Sequence, residues 1–265
     1  MDLRIIVVAH KSYRMPEDPM YLPLHVGRAG MADIGYVGDD TGESISEKNA
    51  NYCELTGLYW AWKNLRAEAV GLAHYRRHFT LDGVAARGLK GKWDCVLTSE
   101  QAYALLQKSE IVLPGKRKHY IENNYDHYVH AHKREAIEAA AICVKGMSPA
   151  YSDAWDRVME RTWAHLFNMF IMRYDRFNEY CEWLFGILGC IEGMIDTSLY
   201  TGREARVFGF VSERLLDVWI EANRLPYTEA SVMYMESQNW AVKIGAFLGR
   251  KARAELENLR FGQSR

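Results

Sequence analysis

No run in the chain approaches the roughly 18 to 20 apolar residues that cross a bilayer, and the early stretch Ile5 to Ala9 is too short for the core of a secretory signal. The expectation is a cytoplasmic protein whose contact with a membrane, if it makes one, is peripheral. Neither sign of charge is in excess: 33 Lys and Arg stand against 34 Asp and Glu, a formal net charge of −1. A general nucleic-acid binder needs a surplus of cations, so that class is excluded. The five cysteines, Cys53, Cys95, Cys143, Cys181 and Cys190, form no C-x-x-C pair and no zinc spacing. They read as scattered reduced thiols. Internal repeats and low-complexity linkers are also missing. What remains is 265 residues, 49% apolar and 25% charged, enough to bury a substantial core.

Strand-like and helix-like stretches alternate along that chain, which makes it α/β. Leu3 to Ala9 is an apolar, β-branched strand ending in His10 and Lys11. Pro16, Pro19 and Pro23 then forbid a helix. Short strands are expected over Met31–Val37, Trp93–Leu97, Glu110–Pro114 and Leu166–Met172. Helices are expected over Glu100–Lys108, Lys133–Val144, Pro149–Glu160, Asp175–Glu192 and Phe208–Asn223. Leu81–Lys92 reads as a loop, and Gly115 to His132 as basic, aromatic and irregular. From Trp240 onward, Trp240, Ile244, Phe247 and Leu248 share a helical face beside Lys243, Arg250, Lys251 and Arg253. Such a basic amphipathic helix either lies on an anionic membrane or packs as a solvated terminal helix.

The stretch from Asp39 to Phe79 organises the rest. Ser44 and Glu47 have capping-box spacing ahead of a helix over 49–65. Leu55, Leu58, Tyr59, Trp62 and Leu65 mark its buried stripe, and Gly57 on it implies close packing. Ala69–Ala73 is a buried strand that runs directly into His74, Tyr75, Arg76, Arg77 and His78. Cations at the carboxyl end of a buried strand are where an α/β protein receives an anionic ligand. Arg suits phosphate because its planar fork binds bidentately and stays charged; the alternative is a structural ion pair with nearby acids.

Several motifs then stand in a particular order: Asp40-Thr41-Gly42, Lys48-Asn49, Tyr52-Cys53-Glu54-Leu55-Thr56, Tyr59-Trp60, Gly71-Leu72 with His74-Tyr75-Arg76-Arg77, Asn168-Met169-Phe170-Ile171-Met172, and Arg206-Val207-Phe208-Gly209-Phe210 with Glu213-Arg214-Leu215. Over roughly residues 3 to 225 the chain resembles the bacterial capsule, exopolysaccharide and O-antigen glycosyltransferases catalogued as domain of unknown function 4422, some of which look like galactofuranosyltransferases. Three positions depart from the family pattern: Ser44, where Asn is commoner, Ala73 before the histidine, and His78 in place of the usual tyrosine.

The resemblance implies a GT-A-like, single Rossmann-like glycosyltransferase domain over 1–239 with a helical C-terminal part, followed by the basic tail 240–265. It implies transfer of a sugar, first of all galactofuranose, from a UDP-sugar donor to a polysaccharide or lipid-linked glycan acceptor at the inner membrane face. Where related folds hold a divalent metal on an Asp-x-Asp, this chain has the His/Arg cluster, so no cofactor is expected. The alternatives are a hexopyranosyltransferase that needs Mn²⁺ or Mg²⁺ and a non-catalytic glycan-binding or assembly protein. His10, Lys11, Asp40, Asn49, His74, Tyr75, Arg76, Arg77 and Asn168 are the candidate donor-binding residues. Asp39 and Asp40 read equally as a turn. Tyr128 and His132 are candidates for the acceptor. Glu213 is the first candidate for the base that takes the acceptor hydroxyl proton, or else an ion-pair partner of Arg214 or Arg206. Glu54 is the second, because a Glu inside an aromatic helix demands a partner or a task.

Overall fold

The computed structural model describes residues 2–84, 88 and 91–236. The expected basic helix over 240–265 lies outside these residues, as does part of the loop over 81–92. The fold is mixed α/β. Ten strands are described: β1 Leu3–Ala9, β2 Tyr21–His25, β3 Val37–Gly38, β4 Ala69–His74, β5 Arg77–Thr80, β6 Ile111–Pro114, β7 Arg117–Lys118, β8 Trp163–Ala164, β9 Phe170–Arg173 and β10 Thr228–Tyr234. The α-helices are α1 Asn49–Tyr52, α2 Glu54–Asn64, α3 Ser99–Leu106, α4 Asn124–Val129, α5 Arg134–Met147, α6 Ser152–Glu160, α7 Tyr174–Met194 and α8 Val207–Ala222.

Strands β3, β2, β1 and β4 lie side by side and parallel. At β4 the sheet forks. Its first residues pair antiparallel with β9, and His74 pairs with Arg77 of β5. β5 leads on to β10, β10 to β6 and β6 to β9, so the pairing returns to β4. Both faces of the sheet are covered, as parallel strands require. Ile6, Val8, Val70, Leu72, Phe170 and Met172 meet the apolar stripes of α2, α5, α7 and α8. Ile5, Val7, Ala73 and Ile171 meet Leu97, Ala102 and Leu105 at and around α3. Successive residues of a strand point to opposite faces, which is why β1 serves both layers.

Gly57 explains how closely α2 sits on this sheet: a Cβ there would lie 2.7 Å from Val26 and 2.9 Å from Val8. Several expectations change. Ser44 and Glu47 form no capping box; the Ser44 hydroxyl instead donates to the Asp39 carbonyl at 2.5 Å and accepts from the Ser46 N–H at 3.0 Å. The expected helix over 49–65 breaks at Cys53, whose φ of 53° lies in the left-handed region. The strand expected over Leu166–Met172 begins only at Phe170, because Phe167 and Asn168 have φ of 83° and 54°. Trp93–Cys95 is a 3₁₀ turn rather than a strand. The proline-rich loop contains β2, where Pro23 is tolerated because β3 pairs only with Leu24 and His25 and leaves Pro23 on an edge. Of the expected edge strand Met31–Val37, only Val37 enters a strand, β3. Strand β10 was not foreseen.

The cysteines are a further correction. Cys143 on α5 and Cys190 on α7 form a disulfide across 47 residues of sequence, because the two helices pack side by side. Cys53, Cys95 and Cys181 are free.

Candidate active site

A cavity of about 340 Å³ opens at the carboxyl ends of β1 and β4. Val8 and Ala9 from β1 and Val26 just after β2 give it apolar walls, and His10 extends from the end of β1. The chain leaves β4 through His74, Tyr75 and Arg76 and returns as β5 at Arg77, so a tight hairpin places all four residues on one rim. The opposite wall is the junction of α1 and α2. The Asn49 amide donates to the Cys53 carbonyl at 2.8 Å and to the Thr56 hydroxyl at 3.0 Å, which holds the left-handed Cys53. This break makes Glu54 the first residue of α2, where it lines the cavity. Arg206, just ahead of α8, completes the lining.

Glu54 is only 7% exposed. The Asn168 amide donates to its Oε1 at 2.7 Å, and Arg206 Nη2 stands 3.6 Å from Oε2. Arg206 also donates from Nε to Cys53 Sγ at 3.2 Å. Burial works against the Arg206 cation, but Cys53 and Glu54 outweigh it and hold the guanidinium charged. The Cys53 thiol is pushed up to about 11, by burial first and then by Glu54, so it is not a nucleophile near neutral pH. Burial lowers His74, with Arg77 and Arg206 acting in the same direction against Glu54. His74 donates from Nε2 to the Phe167 carbonyl at 2.7 Å. His10 is lowered by burial and by Arg76, Lys11 and Arg206. Two histidines biased to the neutral form, three guanidiniums and one carboxylate therefore face a common space.

His10, Asn49, Glu54, His74, Tyr75, Arg76 and Arg77 of the expected site line this cavity. Lys11, Asp40, Asn168, Glu213, Tyr128 and His132 do not. Lys11 is exposed, 5.8 Å from the Tyr75 ring centre. Asp40 pairs with Arg28 at 3.2 Å, whereas buried Asp39 accepts from the Gly27 and Arg28 N–H groups and from Ser46. The Asp39–Asp40 pair therefore builds a turn. Asn168 is buried behind Glu54, with its Oδ1 accepting from Ser212 and its amide also donating to the Gly209 carbonyl. Glu213 accepts the Phe167 N–H at 3.0 Å on one oxygen and Arg214 Nη1 at 3.0 Å on the other. Burial raises its carboxyl, against the pull of Arg214. Tyr128 is 1% exposed, and His132 lies 3.2 Å from the Glu204 carboxylate and stacks on Phe210. Sequence reasoning did not place Arg206 or Cys53 in the lining. Both stand inside motifs of the family pattern, but only the packing of α8 against α1 joins residues 153 apart.

The fold and this cavity define a mixed α/β protein with an arginine-lined cavity at the carboxyl ends of two inner strands. The chain belongs to the family described as domain of unknown function DUF4422, whose model matches residues 4–224. A solved structure described as the apo form of the WbbM bifunctional glycosyltransferase is similar to it, with a TM-score of 0.80 and 31% sequence identity. The likeness covers 89% of this chain and 46% of that one, so this chain spans about half the length of that protein. No curated protein matches the chain.

Proposed function

We propose that the chain is a GT-A-like glycosyltransferase domain that moves a sugar, galactofuranose in the first instance, from a UDP-sugar to a growing capsular, exopolysaccharide or O-antigen glycan. The observation that carries this reading is the grouping of Arg76, Arg77 and Arg206 with the single carboxylate of Glu54 around one cavity. The guanidiniums receive the diphosphate and stabilise the charge that grows on UDP as its bond to the anomeric carbon breaks. Val8, Ala9 and Val26 offer apolar contact to the less polar part of the nucleotide. Glu54 takes the proton of the acceptor hydroxyl as that oxygen attacks the anomeric carbon. The glycosyltransferase named above, similar over most of this chain, supports the same class of reaction.

The donor set favours catalysis by guanidinium rather than by metal. Mg²⁺ and Mn²⁺ are held by oxygen ligands, whereas this cavity offers one carboxylate, already bonded to Asn168, among three arginines. Among the described residues no three His, Cys, Asp or Glu side chains are grouped to hold an ion.

Calorimetry with UDP, with and without EDTA, tests the reading. Binding that survives EDTA is expected. Binding that EDTA removes would favour a metal-dependent hexopyranosyltransferase, and no binding a non-catalytic glycan-binding protein. A panel of nucleotide sugars read by released UDP then identifies the donor. Arg76→Ala is expected to weaken UDP binding by about ten-fold. Its melting temperature should not change, because the Arg76–Glu236 pair is exposed on both sides. Equal UDP affinity in the variant would take Arg76 out of the site.

A further inference from the structure

Phe167 is held in a conformation that a bulky residue rarely adopts. Its φ is 83°, and that of Asn168 beside it is 54°. Strain of this kind in a non-glycine residue persists only where its surroundings impose it, and it gathers at functional sites. Here the constraints are visible. Glu213 fixes the Phe167 N–H at 3.0 Å and His74 fixes its carbonyl at 2.7 Å. The result is a half-buried ring beside the cavity, with the Arg77 guanidinium 4.8 Å and the Arg117 guanidinium 5.9 Å from its centre. Tyr234 meets it edge-on at 6.0 Å.

Two features give this ring a role beyond packing. It adjoins the chemistry: Arg77 and His74 line the cavity, and the next residue, Asn168, holds Glu54. It also borders uncompensated positive charge. Arg117 and Lys118 form the exposed strand β7, and among the described residues neither has a carboxylate within ion-pair distance. Their neighbour Lys116 differs, being paired with Glu229 at 3.2 Å. An aromatic face suits the apolar face of a sugar ring, and an unpaired guanidinium suits a carboxylate or phosphate.

We propose that Phe167 is the platform on which the acceptor saccharide stacks, and that this acceptor carries an oxyanion, carboxylate or phosphate, which Arg117 receives. The proposal rests on the glycosyltransferase reading above and adds the acceptor's chemical class.

The test titrates the protein, with and without saturating UDP, with three probes: trigalacturonate, its fully methyl-esterified form and galactose 6-phosphate. An anionic probe is expected to bind about ten-fold tighter than the neutral ester. The one that does so tells a ring carboxylate from a phosphate. Arg117→Glu should abolish that preference. Phe167→Asn should weaken all saccharide binding while keeping or raising the melting temperature, because Asn tolerates the left-handed backbone better than Phe. No preference for an anionic probe, no saccharide binding, or a preference that survives Arg117→Glu would overturn the proposal. So would a fall in melting temperature in Phe167→Asn with saccharide affinity intact, which would make Phe167 a packing residue. Failure of the wild type to bind UDP would count against the donor site alone, since the saccharide titrations without UDP report separately.

Discussion

Two carboxylates on the two sides of the segment 165–168 are made of the same chemistry and have opposite surroundings. Glu213 has one oxygen on the Phe167 N–H and the other on Arg214, whose side chain is only 3% exposed. Around it lies a closed lattice: Arg214 also donates to His127, His127 stacks on His119, and His119 bonds Asn124. One turn further along α8, Asp217 accepts from the His165 N–H at 2.9 Å and from its ring, and Glu221 pairs with Arg157 and Arg161. The helix thus holds the irregular segment through the side chains of Glu213 and Asp217, one turn apart, while Glu221 a turn further on ties α6 and Arg161 to the same helix. Glu54 differs in one respect. It lines the cavity, Asn168 holds its Oε1, and its Oε2 has only the longer Arg206 contact. Residue type does not separate a fully committed carboxylate from one with an oxygen to spare; their hydrogen-bond partners do.

The sharpest way to break this contrast is to neutralise each carboxylate in turn. Glu54→Gln keeps the side-chain shape and should lower kcat by roughly a hundred- to ten-thousand-fold with UDP affinity nearly unchanged. Steady-state rates and UDP calorimetry on the same preparation check this. Glu213→Ala should act on stability instead, leaving the buried Arg214 without its carboxylate at a cost of about 3–5 kcal/mol. Denaturant titration measures that loss, and kcat per folded molecule should stay within about ten-fold of wild type. If Glu213→Ala proved stable and inactive while Glu54→Gln remained active, the two roles would be exchanged.

A smaller effect concerns the histidines outside the cavity. His78 is fully buried against Tyr21 and Trp93, and burial lowers it from 6.5 to about 4. The folded protein therefore keeps His78 neutral where the unfolded chain would protonate it. The stability this provides is complete above pH 6.5 and is lost as pH falls towards 4, by about 3 kcal/mol. His119 is likewise lowered to about 4 by burial and Arg214. Melting temperature should drop between pH 6.5 and 4, and His78→Phe should flatten part of that slope. An unchanged slope would mean that His78 keeps its proton in the fold.

Much of the cavity was legible because it is local. His74-Tyr75-Arg76-Arg77 is one unbroken run at the end of an apolar strand, and Glu54 stands out as an acid among aromatics. The candidates that the structure puts elsewhere depend on neighbours remote in sequence. The roles of Asp40, Glu213, Tyr128 and His132 follow from Arg28, Phe167 and Arg214, and Glu204. The element boundaries that moved did so for backbone reasons. A left-handed residue at Cys53, Phe167 or Asn168 carries no signal in side-chain periodicity, because none of the three is a glycine.

Hydrophobic pattern alone determined the alternation of strands and helices, the strand that ends in the basic cluster and the tight seat of Gly57. These depend on the spacing of side chains within a few turns, which is written directly into the order of residues. The tertiary structure decided the Cys143–Cys190 disulfide, the arrival of Arg206 beside Glu54, and which of two glutamates keeps an oxygen free. Each of these brings together groups from 46 to more than 150 residues apart, and only the packing of helices on a common sheet fixes such distances.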